Sequence, residues 1–133
     1  MHPAQVLPLL ALLWVLSACG GPAFDRAYVA AGQGQAESDL RPSSQFSTTD
    51  DLNVVIKLNR HGGNLPVAAR FLDPNGEEVQ TVRAEVPEGV ETVVLGIDAD
   101  LRPDPAEQWV RGRYTVEVEV NGEVVERLFF RVD

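Results

Sequence analysis

Few residues in this chain are equipped to do chemistry. Cys19 is the only cysteine among 133 residues, which excludes an internal disulfide. Its thiol sits in Leu16-Ser17-Ala18-Cys19-Gly20-Gly21, between small residues and just past an apolar run. His61 lies in the glycine-rich stretch Arg60-His-Gly-Gly-Asn64 and reads as a solvated turn residue rather than a base. Ser38, Ser43, Ser44 and Ser47 fall in a polar stretch, and none occupies a nucleophile elbow. Zinc takes three or four nitrogen or sulfur ligands in most sites, more than this supply offers. Asp98, Asp100, Asp104 and Glu107 could give oxygens to calcium, or imitate the carboxylate pair of a glycosidase. Their spacing lacks the glycine and closing glutamate of an EF-hand loop, and Leu101, Pro103 and Pro105 interrupt it. The inventory therefore predicts no catalytic residue, no cofactor and no metal site, hence not an enzyme. A calcium-dependent or hydrolytic domain using the acidic Asp98–Glu107 loop is the alternative.

The apolar run Val6–Leu16 is shorter than the roughly 20 residues that span a bilayer. Its length suits the h-region of a secretory signal, and small residues follow it as cleavage requires. The preceding Met1–Gln5 holds no lysine or arginine, so its positive charge rests on the terminal amine and His2. Leu16-Ser17-Ala18-Cys19 resembles the lipobox of bacterial lipoproteins: an aliphatic residue, two small residues, then cysteine. The resemblance implies that residues 1–18 are a lipoprotein signal peptide and that Cys19 carries the lipid. It places the protein in the bacterial cell envelope, exported and anchored to a membrane. One acyl chain binds marginally, whereas two or more anchor stably. Gly20, rather than aspartate, after the cysteine resembles an outer-membrane sorting signal in enterobacterial-type bacteria.

Twenty acidic residues against eleven basic ones give a formal net charge of −9, with Lys57 the sole lysine. An acidic surface repels phosphate backbones, so no nucleic-acid partner is expected. It also opposes adhesion to anionic lipid through a basic patch.

Residues 19–50 read as the lipidated cysteine and a flexible tether. Gly20-Gly21-Pro22, Gly32-Gln-Gly-Gln35, Arg41-Pro-Ser-Ser44 and Ser47-Thr-Thr-Asp-Asp51 are small, polar or helix-breaking. A flexible chain of about 30 residues has an end-to-end distance of roughly 30 Å. Within it, Phe24–Ala31 reads as a short helix. Gly32-x-Gly34 lacks the preceding strand and third glycine of a nucleotide-binding turn. Phe46 is expected to pack where tether meets domain.

Residues 51–133 alternate. Leu52, Val54, Ile56 and Leu58 point one way, and Asn53, Lys57 and Asn59 the other, as in a half-buried strand. Leu65, Val67, Ala69 and Phe71 repeat the pattern after the Arg60–Asn64 turn. Asp73-Pro-Asn-Gly76 has a proline set for a type I turn and a glycine for the left-handed position after it. Strands follow over Glu78–Val86, Val90–Ile97, Arg113–Glu119 and Glu123–Val132. Two registers compete at Asn121-Gly122. A two-residue turn pairs Val118 with Val125 and turns Arg127 and Arg131 inward. A three-residue loop with a glycine bulge pairs Val118 with Val124 and Tyr114 with Leu128. The second leaves the cleaner apolar face, with Tyr114, Val116, Val118, Val124, Leu128, Phe130 and Val132 inward. It is the predicted register, and it turns Val125 and Phe129 outward as the candidate interaction surface.

Six to seven short strands with such turns predict an all-β antiparallel sandwich. Trp109-Val-Arg-Gly-Arg-Tyr114 resembles the start of strand F in immunoglobulin-like domains, where a tyrosine hydroxyl bonds back to local backbone. The hairpin ending in Phe129-Phe-Arg-Val132 resembles the closing hairpin of bacterial immunoglobulin-like modules. The resemblance covers about Phe46 to Asp133 and implies an immunoglobulin-like β-sandwich, with Trp109 plugging one end. The expected function is a non-catalytic binding or accessory module of the envelope, acting on a protein or polymer partner.

Overall fold

The computed structural model describes residues 23–98 and 109–133. The signal peptide, Cys19, and Asp100, Asp104 and Glu107 of the acidic loop lie outside the described residues. The described strands are β1 (Phe24–Ala31), β2 (Arg41–Pro42), β3 (Gln45–Phe46), β4 (Leu52–Leu58), β5 (Leu65–Leu72), β6 (Glu78–Val86), β7 (Thr92–Ile97), β8 (Gly112–Val120) and β9 (Glu123–Val132). They form two packed sheets, ordered β2-β1-β4-β7 and β3-β9-β8-β5-β6. All pairings are antiparallel except β3 with β9, which is parallel.

The core follows from alternation. Leu52, Val54, Ile56 and Leu58 of β4 meet Val67, Ala69 and Phe71 of β5 and Tyr114, Val116 and Val118 of β8 in one apolar cluster. Burying each such aliphatic side chain is worth about 1.5–3 kcal/mol. The turns take the forms their residues dictate. The Gly76 amide donates to the Asp73 carbonyl at 2.9 Å, and Asp73 Oδ1 accepts from the amides of Asn75 and Glu77.

The tether expectation is corrected over residues 24–46. Phe24–Ala31 is strand β1, not a helix, and pairs with β4 from Phe24–Leu58 to Ala30–Asn53. Its period was hidden because apolar residues occupy both faces. Val29 and Ala31 enter the core, while Ala30 on the opposite face is also fully buried. Sheet pairing overrides the helix preference of its alanines. The chain then folds back as a flap over residues 32–40, with a 3-10 turn at Glu37–Asp39. Gly32 lies at φ +133°, and a Cβ there would come within 2.7 Å of the Asp39 carbonyl oxygen. The flap is bonded to the outer face of the first sheet. Glu37 accepts from Lys57 Nζ at 2.8 Å and from the Tyr28 hydroxyl at 2.9 Å, and Asn53 Nδ2 donates to the Gly32 carbonyl at 3.1 Å. This is why β4 is buried on both faces, with Val55 at 0% and Asn53 at 7% exposure, rather than half-buried.

After the flap, β2 pairs with β1 and β3 crosses to pair with β9, so one short run of chain links the two sheets. Phe46 is buried, as expected, edge-on to Phe130 at 5.2 Å. Phe130 in turn stacks on Tyr114 at 5.1 Å.

The hairpin register is also corrected. Asn121 (φ 56°) and Gly122 (φ 86°) make a two-residue turn, with Val120 opposite Glu123. Then Glu119 faces Val124 while Val118 faces Glu126, which makes Val125 the extra residue of a bulge. Beyond it Tyr114 pairs with Phe130, not Leu128. Leu128, Phe130 and Val132 still face inward and Phe129 outward, because the observed and predicted registers share parity. Val124 and Val125 exchange roles: Val124 is 44% exposed and Val125 packs against the core. The sequence favours a bulge at the turn, whereas the bulge forms inside the strand and leaves the Asn-Gly turn tight.

The tyrosine corner is present. The Tyr114 hydroxyl donates to the Val110 carbonyl at 2.8 Å, and Trp109 is buried with Nε1 donating to the Asp50 carbonyl at 2.6 Å. Gly112, at φ +137°, passes so close to Pro74 that a Cβ would approach its ring carbon to 2.7 Å.

Two outcomes test these bonds. Tyr114→Phe leaves the Val110 carbonyl without its donor, and urea denaturation should show a loss of about 1–2 kcal/mol. The Glu37 carboxyl is held below its ordinary 4.5, first by the Lys57 bond and then by Tyr28. Its contribution is therefore present above 4.5 and lost as pH falls through the lowered folded value. Tyr28 is raised above 10.0, first by burial and then by its bond to Glu37, so its contribution is lost as pH rises through that raised value. Melting curves of Glu37→Gln should lie below wild type at pH 7 and converge with it as pH falls past the lowered folded value.

Candidate functional site

The flap covers part of the outer face of the first sheet, whereas the outer face of the second sheet stays open. Side chains of β9, β8, β5 and β6 stand there in rows set by the pairing. One row is an ion ladder with alternating sign. Arg127 Nε bonds Glu117 at 3.0 Å, Glu117 bonds Arg70 at 3.2 Å, and Arg70 bonds Glu78 at 2.9 Å. The Arg70 guanidinium is held more firmly charged, chiefly by its bond to Glu78. The ladder satisfies its own charges and offers little to a partner. Below it, Pro66, Ala68, Ala84 and Gly122 floor an open groove of about 680 Å³, rimmed by Arg83, Glu85 and Glu119.

The next row toward β3 has a different character. Phe129 is 48% exposed, opposite Thr115, and the Arg113 guanidinium lies 4.2 Å from its ring centroid. Such a contact contributes about 0.5–1 kcal/mol at an exposed site and holds both groups in place. Arg113 stands directly opposite Arg131, and Gln45 completes that row. Like charges facing each other across a strand pair are destabilising. Arg131 Nη2 reaches Asp133 at 3.4 Å.

Two hollows flank Phe129 and share it and Ser44 as a common wall. One, of about 230 Å³, is lined by Ser44, Gln45, Arg113, Phe129, Phe130 and Arg131. The other, of about 380 Å³, runs along the seam between the sheets and is lined by Tyr28, Pro42, Ser43, Leu128 and neighbouring backbone. The seam is open because β3 pairs with β9 only at Arg131 and Val132. Among the described residues no strand pairs with β9 on that side over Glu123–Phe130.

Of the two candidate surface residues, Phe129 is exposed, whereas the bulge packs Val125 against the core. Arg113 and Arg131 lie in strands predicted from the sequence but outside the candidate surface predicted there. Their parity with Thr115 and Phe129 marked them as outward, but their opposition depends on the bulged register. His61 is half-buried rather than solvated, with Nε2 bonded to the Val90 carbonyl at 3.0 Å. Ser43 Oγ bonds the Gln45 carbonyl and Ser47 Oγ lies beside Thr49 Oγ1, so both hydroxyls hold local turns. Among the described residues no three His, Cys, Asp or Glu side chains converge as a metal site. Of the acidic loop, Asp98 alone is described.

No protein-family model matches the chain, and none of the curated proteins matches it in sequence. Among solved structures it is similar to an immunoglobulin-like protein from Pseudomonas aeruginosa, with TM-score 0.50 and 16% identity over 84% of this chain and 99% of that one. It also overlaps a Pseudomonas fluorescens alkylpurine DNA glycosylase bound to DNA containing an abasic site analog, with TM-score 0.48 and 15% identity over 85% of this chain and 32% of that one. The second overlap carries no argument. The first shows the fold: this is an immunoglobulin-like β-sandwich. The central strand orders agree, with β1-β4-β7 in the places of strands A, B and E and β9-β8-β5 in those of G, F and C.

The ladder yields a prediction of its own. Glu117→Gln removes the anion between Arg70 and Arg127. The variant should melt a few degrees below wild type in dilute buffer, and the gap should narrow in 1 M salt, where the Debye length falls to about 3 Å.

Proposed function

We propose that this protein is a non-catalytic binding module of the bacterial envelope, exported, lipid-anchored at Cys19, and engaging another envelope component through the Phe129 corner. The observation that carries the binding reading is the exposed Phe129 ring, held under Arg113 beside the edge of β9 that no strand pairs among the described residues. Aromatic and arginine side chains dominate the binding energy of protein interfaces. The anchoring reading rests on Leu16-Ser17-Ala18-Cys19 at the end of an apolar run, with the chain's only cysteine in register. The net charge of −9 favours attachment by covalent lipid over adhesion to anionic headgroups.

Chain geometry limits how far the anchor lets the domain stray. The described fold begins at Ala23, four residues after Cys19. Four residues span at most about 14 Å, well short of the roughly 30 Å that a tether of about 30 residues would allow. The Ala23 carbonyl accepts from the Asn59 amide, so that end of the sandwich, with the Arg60–Asn64 turn, lies nearest the headgroups under this reading. A partner would then be met close to the membrane.

Two measurements test the two halves. Intact mass of membrane-extracted protein should show loss of residues 1–18 and added acyl mass; an unlipidated N-terminus elsewhere would overturn the anchor. With p-benzoylphenylalanine replacing Phe129, irradiation of intact cells should give specific adducts that the same probe replacing Asn75, on an exposed turn, does not. Equal labelling at both positions would overturn the surface.

A further inference from the structure

We infer that the Phe129 corner is built for an acidic anchor: the carboxylate of an extended peptide segment of the partner, seated between Arg113 and Arg131. This deepens the reading above and rests on Phe129 lying in the binding surface.

Three observations carry it. First, in a chain of net charge −9, two arginines face each other across β8 and β9 on an open face. Like charges directly opposite across a strand pair disfavour each other, and an anion between them offsets this. Second, neither guanidinium is strongly engaged. Arg113 lies over the Phe129 ring, and the Arg131–Asp133 contact is 3.4 Å between side chains that are each more than half exposed. In the neighbouring ladder, by contrast, Arg70 and Arg127 bond carboxylates at 2.9–3.2 Å. A planar guanidinium matches a carboxylate with two parallel donors, so the pair offers more donors than one carboxylate can use. Third, the hollow beside Arg113 and Arg131, of about 230 Å³, is too small for a drug-sized ligand, for which sites run about 300–1,000 Å³. It suits one side chain, and Ser44 and Gln45 supply polar groups at its rim.

The adjoining hollow sets the rest of the segment. Leu128, Pro42 and Tyr28 line it, and it meets the hollow beside the arginines across the Phe129 ring. In an extended chain, side chains two residues apart lie about 6.6 Å apart on one face. A segment with an acid and, two positions on, an aliphatic residue can straddle Phe129 with one group in each hollow. A peptide fits these dimensions better than an anionic polysaccharide, which presents repeated carboxylates but no aliphatic group for the seam.

The test uses the purified full chain and a fluorescein-labelled hexapeptide, Gly-Glu-Thr-Leu-Thr-Gly. Fluorescence anisotropy should show binding that weakens at least tenfold when the peptide glutamate becomes glutamine, and several-fold between 50 and 300 mM salt. Arg113→Glu should weaken binding at least tenfold while leaving the melting temperature unchanged or raised, because it places opposite charges across the strand pair. Arg131→Gln should weaken binding less and fold normally. The proposal is overturned if the glutamine peptide binds equally, if Arg113→Glu leaves affinity unchanged, or if no binding appears at millimolar peptide. It is also overturned if polygalacturonate binds at the corner and the hexapeptide does not. Cross-linking at position 129 separates the two failures. Adducts there with no preference for the acidic peptide sink the anchor chemistry and spare the surface. No excess of adducts over position 75 sinks the surface itself.

Discussion

At the closing hairpin, β9 carries one residue more than β8 beside it. That residue, Val125, sits between the Glu119–Val124 and Val118–Glu126 pairs, and the facing of everything after it depends on the insertion. Side chains of a strand alternate with period two, so removing the bulge would exchange the two faces of β9. Leu128, Phe130 and Val132 would leave the core, and Arg127, Phe129 and Arg131 would enter it. Burying guanidinium groups without compensation costs several kcal/mol each. The Phe46–Phe130–Tyr114 aromatic contacts would be lost as well. The core therefore enforces the bulge, and the bulge in turn aligns Arg131 with Arg113 and Arg127 with Glu117. The candidate site is a by-product of how the core closes.

The flap is a second consequence of closure. A central strand such as β4 needs cover on both faces if both are apolar, and the second sheet can supply only one. Residues 32–40 supply the other, held by the Glu37 bonds to Lys57 and Tyr28. The sole lysine of the chain is spent on this contact, on a strand whose other outward residues, Asn53 and Val55, are buried. Covering this face also leaves the second sheet as the open one.

How much could be read in the sequence depends on whether one face of an element meets water. The strands of the second sheet do meet it, and their alternation marked Glu78–Val86 and Glu123–Val132 with the bounds the structure has. The Asp73–Gly76 turn and the tyrosine corner were legible because each rests on local residue chemistry. Strand β1 was not, since Tyr28, Val29, Ala30 and Ala31 have cover on both sides and carry no polar beat. Nor was the flap, whose Gly32 and Gly34 look like linker residues until Asp39 is seen packed against both. The bulge escaped because the Asn121-Gly122 turn accommodates a bulge either at the loop or within the strand. Only the three-dimensional cost of Arg127 and Arg131 in the core separates those outcomes. Of the site, Phe129 was therefore visible and its arginine neighbours were not.

The overall charge of the molecule and the local charge of the corner act on different length scales. At physiological salt the Debye length is about 8 Å, so the net −9 is largely screened beyond the first layers of solvent. What remains of it repels an acidic partner and slows its approach. Inside that distance, Arg113 and Arg131 dominate, in a hollow beside the Phe129 ring, where charges are less screened. Such an arrangement trades association rate for selectivity. Under the proposed reading, an acidic chain with no apolar group for the seam would meet the surrounding field without compensation, whereas a segment complementary to both hollows would gain on contact.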